Sequence, residues 1–280
     1  MKLIRFGKMG EETPGILIND QRFDISAFGE DYDENFFGNN GIERLKDWWK
    51  RHQTKCPEIS SDTRWAAPIV RPSKIVCVGL NYVTHAKESN MELPKEPLIF
   101  FKASSALCGP FDNVIYPKLA QKLDYEVELA VIIGKKATEV SEEEAMQHVA
   151  GYTIHNDISE RYFQLESGGQ WVKGKSCDTF APIGPYLATT DEINNPHQLA
   201  LSLSVNGEIR QKDTTDSLYF KIPHLISYIS HYMSLLPGDI ISTGTPAGVG
   251  LGFSPPKYVT PGDEMELVIE GLGRMKQRVI

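Results

Sequence analysis

Three carboxylates occur at every second position of one apolar segment. Asp124, Glu126 and Glu128 open the stretch LDYEVELAVIIGK, whose second half is apolar on both faces, as in a buried strand. Side chains at i, i+2 and i+4 of a strand share one face, so these acids would repel each other. A divalent cation would relieve the repulsion, and oxygen ligands suit Mg²⁺, Mn²⁺ or Ca²⁺. The same alternation occurs on the solvated face of an edge strand, and this pattern alone leaves both interpretations open.

A further acid, Asp157, ends the apolar-flanked segment GYTIHN. Loops at strand exits are a common place for functional ligands. Two glutamates from one strand and one aspartate from another would make an open octahedral site, where Mg²⁺ keeps waters that a substrate can replace.

The segment GLNYVTHAKES places His85 and Glu88 three residues apart on a predicted helix that Asn81 would cap. A carboxylate beside an imidazole orients the ring for general-base chemistry near neutral pH. An incidental pair on a surface helix has the same spacing. His155 lies on an apolar strand, which favours a hydrogen-bonded core residue.

Five further polar residues lie in or next to these motifs. Cations near a metal site can hold a carboxylate or an enolate, although each residue also fits an ordinary surface or turn position. These residues are Lys102, Arg161, Gln164, Lys175 and Thr245. The glycine-rich GTPAGVG around Thr245 lacks a following GK[ST] and a surrounding βαβ unit, so a nucleotide loop is not expected.

The elements around these residues predict a β-rich α+β fold with peripheral helices. Segments such as KIVCVGL and PLIFFKASS are typical of strands, while helical spacing occurs over residues 42–52 and 222–233. We expect a small N-terminal α+β domain over residues 1–70 and a main domain over residues 71–280.

Composition excludes several classes of partner. The chain has 280 residues, a formal net charge of −8 and no basic stripe, so neither nucleic acid nor an anionic membrane is an expected partner. No apolar run reaches the roughly 18 residues that span a bilayer, and MKLIRFGKMG lacks the apolar core of a signal peptide. The four cysteines are scattered along the chain, which favours free thiols in a reducing cytosol. We expect a cytoplasmic protein.

Four motifs in order resemble the fumarylacetoacetate hydrolase family: DYEVELAVIIGK, HNDISERYFQ, GKSCDTFAPIGPYL and STGTPAGVG. The similarity covers residues 74–271, and the start MKLIRFG…PGILI resembles the branch with an extra N-terminal domain. The resemblance implies a catalytic domain of mixed β-sandwich and β-roll type and a homodimer. It also implies that Mg²⁺ or Mn²⁺ is bound by Glu126, Glu128 and Asp157.

The resemblance implies catalytic roles for three residues. The dyad of His85 and Glu88 would activate water and order as a lid over the substrate, and Lys175 would be a buried lysine near the metal. The implied substrate-binding residues are Lys102, Arg161, Gln164 and Thr245, the last at the substrate's carboxylate end.

Three residues near the motifs receive no implied role. The family often has an acid where Tyr162 stands and a phenylalanine where Cys177 stands, and both differences could alter the choice of substrate. Asp124 is interpreted as a flanking acid whose partner the sequence does not identify.

The resemblance implies a Mg²⁺-dependent hydrolase that cleaves a C–C bond of a 2,4-dioxo acid to pyruvate and a carboxylic acid. Within this branch, 2,4-diketo-3-deoxy-L-fuconate or -rhamnonate is the preferred substrate. Ureidoglycolate cleavage, oxaloacetate decarboxylation and hydration or isomerisation of unsaturated 2-oxo acids would use the same enolate-type stabilisation, so the motifs leave them open. A β-rich binding protein with a vestigial site is the alternative from another class.

Overall fold

The computed structural model describes residues 1–88 and 92–280. Its strands, in chain order, are β1 (Lys2–Phe6), β2 (Thr13–Ile18), β3 (Gln21–Asp24), β4 (Trp65–Ala66), β5 (Ile75–Gly79), β6 (Leu98–Lys102), β7 (Leu107–Cys108), β8 (Leu123–Asp124), β9 (Val127–Ile133), β10 (Val149–Asn156), β11 (Ser159–Glu160), β12 (Ala181–Thr189), β13 (Ala200–Val205), β14 (Glu208–Thr214), β15 (Ile240–Ser242), β16 (Glu264–Ile269) and β17 (Gly273–Arg278).

The α-helices are short and lie between these strands. They are α1 (Glu34–Gly38), α2 (Gly41–His52), α3 (Val83–Glu88), α4 (Glu142–Ala145), α5 (Val172–Lys175) and α6 (Ile222–Tyr232). The two helices predicted from apolar spacing correspond to α2 and α6. Across the described residues, no helix combines the length and apolar character needed to cross a bilayer.

One mixed sheet of eleven strands carries the site, with β9 and β10 at its centre. Every residue of β9 is buried, which explains why its sequence is apolar on both faces. β1 pairs with β12, so the N-terminal strands extend the same sheet. The division at residue 70 stays a prediction.

A second sheet, in the order β14-β13-β16-β17, has alternating burial on β16, as expected for a sheet with one covered face. Many strands and few, peripheral helices confirm the predicted β-rich α+β class.

Two local predictions were wrong. The acidic segment is not one strand, because β8 ends at Asp124 and β9 begins at Val127. Between them, the Glu126 amide donates to the side chain of Asn156 instead of continuing the ladder. Asn81 does not cap α3; its side-chain amide donates to the carbonyls of Phe220 and Thr243. Ser89, the last residue of that predicted helix, lies outside the described residues.

Candidate metal centre and proton-transfer site

The three acids implied as metal ligands meet in the protein interior. Glu126, Glu128 and Asp157 each offer a carboxylate oxygen, and these oxygens lie within 4.8 Å of one another. The antiparallel register of β9 and β10 causes this, because Glu128 pairs with His155 and the next residues bring Asp157 beside Glu126. A hydrogen bond of 2.9 Å from the Asp157 amide to the Glu126 carbonyl holds these two residues side by side.

Two buried lysines neutralise part of this charge. Nζ of Lys175, at the end of α5, donates to Glu126 Oε2 at 2.8 Å and to Asp157 Oδ2 at 2.9 Å. Nζ of Lys102, at the end of β6, donates to the other Asp157 oxygen. Burial works against the charge of Lys175, but Asp157 and Glu126 outweigh it and raise the pKa of this lysine. Lys175 is therefore a cation and a hydrogen-bond donor at neutral pH, and not a base.

Glu128 differs from the other two acids because no lysine or arginine pairs with it among the described residues. Its Oε2 accepts hydrogen bonds from the Ser242 hydroxyl and, at 2.9 Å, from the Gly244 amide. Burial and the negative charges of Asp157 and Glu126 raise the pKa of Glu128 well above its ordinary value. A divalent cation would supply the missing positive charge. The oxygen donor set and this uncompensated carboxylate therefore fit Mg²⁺ or Mn²⁺.

Arg161 joins the acid cluster to Asp124. Its Nη2 donates to Glu126 Oε1 at 2.7 Å and its Nε to Asp124 Oδ2 at 2.9 Å. Asp124 also accepts from the amides of Gly250 and Leu251. Asp124 therefore has a partner, Arg161, which the sequence did not identify. Through its own hydrogen bonds, Asp124 connects Arg161 to the glycine-rich loop.

Gln164 and Thr245 both line the cavity beside the acids. Arg161 Nη1 donates to Gln164 Oε1 at 3.0 Å. Gln164 Nε2 makes no hydrogen bond among the described residues, so this donor is available to a ligand. The Thr245 hydroxyl donates to the Val127 carbonyl at 2.9 Å and accepts from Gln211. Its single proton is therefore already used, and its substrate-binding role stays a prediction.

The predicted dyad is close but not hydrogen-bonded. His85 Nδ1 lies 3.6 Å from Glu88 Oε2, and Nδ1 is buried without a hydrogen-bond partner among the described residues. Glu88 instead accepts from the Gly248 amide at 2.9 and 3.1 Å. Catalytic hydrogen bonds are often long before substrate binds, so the geometry is compatible with a dyad that tightens on binding.

Only one ring nitrogen of His155 has a hydrogen-bond partner among the described residues, whereas the sequence predicted a fully hydrogen-bonded core histidine. The ring is buried, its Nδ1 lies 2.6 Å from Ser242 Oγ, and its Nε2 has no partner among the described residues. Because the Ser242 proton goes to Glu128, His155 must donate from Nδ1. Sequence reasoning missed this relay from His155 through Ser242 to Glu128. The signal in the sequence was the position of Ser242 at the end of β15, two residues before the first glycine of the glycine-rich loop.

The cavity beside the acids measures about 40 Å³. Its lining combines Glu126 and Glu128 with an apolar wall of Leu80, Phe100 and Trp171. His85 and Lys175 also line it, whereas Tyr162 and Cys177 are not among its described lining residues. Seven of the ten predicted site residues line this cavity. Of the other three, Asp157 is hydrogen-bonded to Lys175, Lys102 is hydrogen-bonded to Asp157, and Glu88 lies 3.6 Å from His85.

Residues 74–280 match the family model described as Fumarylacetoacetate (FAA) hydrolase C-terminal. The chain belongs to the fumarylacetoacetate hydrolase family. A protein of Burkholderia multivorans (strain ATCC 17616 / 249) is 45% identical over 279 residues, which cover 99% of this chain and 98% of that protein.

Solved structures of related proteins are similar to the whole of this chain, including the residues before position 74. Fumarylacetoacetate hydrolase from Exiguobacterium antarcticum has a TM-score of 0.85 at 34% identity and covers 100% of this chain and 99% of its own. Maleylpyruvate hydrolase from Sphingobium sp. SYK-6, in complex with manganese(II) and pyruvate, has a TM-score of 0.84 at 32% identity, with 100% and 99% covered.

Proposed function

We propose that this protein is a Mg²⁺- or Mn²⁺-dependent hydrolase that cleaves a 2,4-dioxo acid to pyruvate and a carboxylic acid. The observation that carries the proposal is the buried cluster of Glu126, Glu128 and Asp157, in which no lysine or arginine of the described residues pairs with Glu128. The similar maleylpyruvate hydrolase was crystallised with manganese(II) and pyruvate, the metal and the product that the proposal names.

The three acids would hold the metal, and a bound divalent ion supplies Lewis-acid polarisation of the substrate's 2-oxo acid end. His85 is the residue at the cavity that would accept a proton from water as the water oxygen attacks C4. The C3–C4 bond then breaks, and its electron pair passes to C3 and the 2-oxo group as the enolate of pyruvate. Proton return to C3 completes pyruvate.

Lys175 would stabilise the developing enolate. Its pKa is raised, so its ammonium group keeps its charge at neutral pH and donates hydrogen bonds where negative charge develops. Lys102 shares Asp157 with it, and together the two lysines hold that carboxylate ionised: its pKa is well below the ordinary value, despite burial. Gln164 lines the same cavity, and its Nε2 would donate to the substrate's carboxylate.

A panel of substrates tests the proposal. The purified protein with Mg²⁺ or Mn²⁺ is assayed for pyruvate from acetylpyruvate and oxaloacetate, and for glyoxylate and urea from ureidoglycolate. Pyruvate and acetate in equal amounts from acetylpyruvate support hydrolysis. Carbon dioxide from oxaloacetate, with no cleavage of acetylpyruvate, would instead identify a decarboxylase.

We also propose that the protein is a homodimer, as the family resemblance implies. Three large apolar side chains of the segment 111–119 are exposed in the single chain, namely Phe111, Ile115 and Leu119 at 42%, 48% and 74%. Such a cluster is typical of a surface that a partner covers. Light scattering at micromolar concentration should give twice the 31.4 kDa chain mass, and Leu119→Lys should lower it.

A further inference from the structure

An apolar groove shares two aromatic lining residues with the cavity at the acids. The rings of Phe100 and Trp171 have centroids 5.3 Å apart and meet edge to face at 67°. Both line the cavity at the acids and also a groove of about 470 Å³. We infer that this groove receives the distal end of the substrate, beyond C4, and that this end is an apolar alkyl or aryl group. The inference rests on the proposed function.

The two rings are held in a fixed relation to Lys175. Phe100 precedes Lys102 by two residues on β6, and Lys175 Nζ lies 5.0 Å from the Phe100 ring centroid. Trp171 directly precedes α5, the helix that ends at Lys175. A Cβ on Gly79 would lie 2.9 Å from the Trp171 ring, so the glycine provides the space for it. The aromatic wall therefore stands next to the position of the enolate.

The cavity itself is too small for a whole substrate. Its volume of about 40 Å³ holds only a few water molecules, since one water needs roughly 10–15 Å³ of such space. The 2-oxo acid end must occupy this space to reach the acids. The acyl substituent then needs further volume, and the adjoining groove has a size that is typical of ligand pockets.

The lining of the groove decides the chemical class of that substituent. No charged side chain occurs among the described lining residues, which are Leu98, Ile99, Phe100, Phe101, Gly169, Gln170, Trp171 and Val172. The side chains of Leu98, Phe101 and Val172 are 39%, 38% and 42% exposed, so a ligand would cover apolar surface that water now contacts.

Two other substituents fit this lining poorly. The hydroxyls of a sugar-derived chain would lose water and find few partners, and a distal carboxylate would find no cation among these residues. The sugar-acid substrate implied by the resemblance stays a prediction, and the groove favours an apolar acylpyruvate instead.

A chain-length series tests the inference on the wild-type protein. The values of kcat/KM are measured for acylpyruvates from acetylpyruvate to octanoylpyruvate and for benzoylpyruvate. Each buried methylene contributes ~0.8 kcal/mol, so kcat/KM should rise about fourfold per methylene until the groove is filled. Calorimetry with 2-oxoalkanoates, which carry no C4 carbonyl to cleave, should show the same trend in Kd.

A substitution on the exposed rim provides the converse test. Val172→Arg places a cation in the groove, and it should reduce the gain per methylene and raise kcat/KM at least tenfold for substrates with a distal carboxylate. The matched control is Ile209→Arg, because Ile209 is an exposed aliphatic residue of β14, outside the groove lining. The control should leave the chain-length series unchanged.

The outcomes separate this inference from the proposed function. Cleavage of acetylpyruvate with a flat or falling series, or a preference for polyhydroxylated substituents, would overturn the inference alone. Cleavage of no 2,4-dioxo acid would overturn the proposed function, while the Kd series of the 2-oxoalkanoates would still report on the groove. A change of oligomeric mass in Val172→Arg would overturn the inference and assign the groove to a contact between copies.

Discussion

The carboxylate of Asp124 accepts a hydrogen bond of 2.9 Å from Nε of Arg161, and both side chains are buried. Asp124 also accepts hydrogen bonds from the amides of Gly250 and Leu251 at 2.6 and 3.0 Å. Arg161 donates a further hydrogen bond to Glu126. Asp124 is therefore a positioning residue that ties the glycine-rich loop to the acid cluster through one guanidinium.

Asp124→Asn should destabilise the protein. The substitution keeps the shape of the side chain but removes the charge that balances buried Arg161, so the free energy of unfolding should fall by about 3 kcal/mol. Urea denaturation measures this change. The control is Asp47→Asn, which breaks the pair of Asp47, 70% exposed, with Lys50, 74% exposed, and should cost less than ~1 kcal/mol. Equal, small losses in both variants would contradict the prediction.

Glu126→Gln and Glu128→Gln should differ in stability when chelator is present. Glu126→Gln leaves Lys175 and Arg161 each without one carboxylate partner, so the free energy of unfolding should fall by at least ~2 kcal/mol. Glu128→Gln removes a charge that burial and like charges oppose and separates no ion pair, so stability should be unchanged or higher.

Thermal melts of the two glutamine variants beside the wild type, all in chelator, make this comparison. A lower melting temperature for Glu128→Gln than for Glu126→Gln would contradict the charge distribution described for the cluster. The same variants titrated with Mn²⁺ by calorimetry should both lose at least tenfold in affinity, because each lacks one carboxylate ligand.

His85→Ala should affect turnover and not metal binding. His85 lies on α3 at the cavity and is not among the acids, so the Kd for Mn²⁺ should stay within twofold. Loss of the general base should lower kcat by about 10²- to 10⁴-fold with little change in KM. The control is His148→Ala at a half-buried histidine that is not among the described lining residues of the cavity. A KM effect without a kcat effect would assign His85 to substrate binding instead.

Much of the fold could be predicted from local patterns. The apolar run of β9, the helical spacing of α2 and α6 and the alternation of acids were visible because periodicity reports burial directly. The break between β8 and β9 was not visible. It depends on Asn156, the last residue of β10, and on Asp157, which follows it, because both form hydrogen bonds with the backbone of Glu126.

The site, like the fold, could be predicted from the sequence only in part. The types and order of the acids and of Lys175 indicated their chemistry, and the family resemblance indicated which of them belong together. The partner of Asp124, the relay from His155 through Ser242 to Glu128, and the wall of Phe100 and Trp171 depend on contacts between distant segments. No spacing within one segment reports such contacts.

Pyruvate release from acetylpyruvate, measured with and without divalent metal in the wild type and in Glu128→Gln, tests the central claim most directly. The proposed function predicts that chelation abolishes release in the wild type, that Mg²⁺ or Mn²⁺ restores it, and that Glu128→Gln stays inactive while folded. Equal pyruvate release by the chelated wild type, or by Glu128→Gln, would contradict the metal-dependent hydrolase.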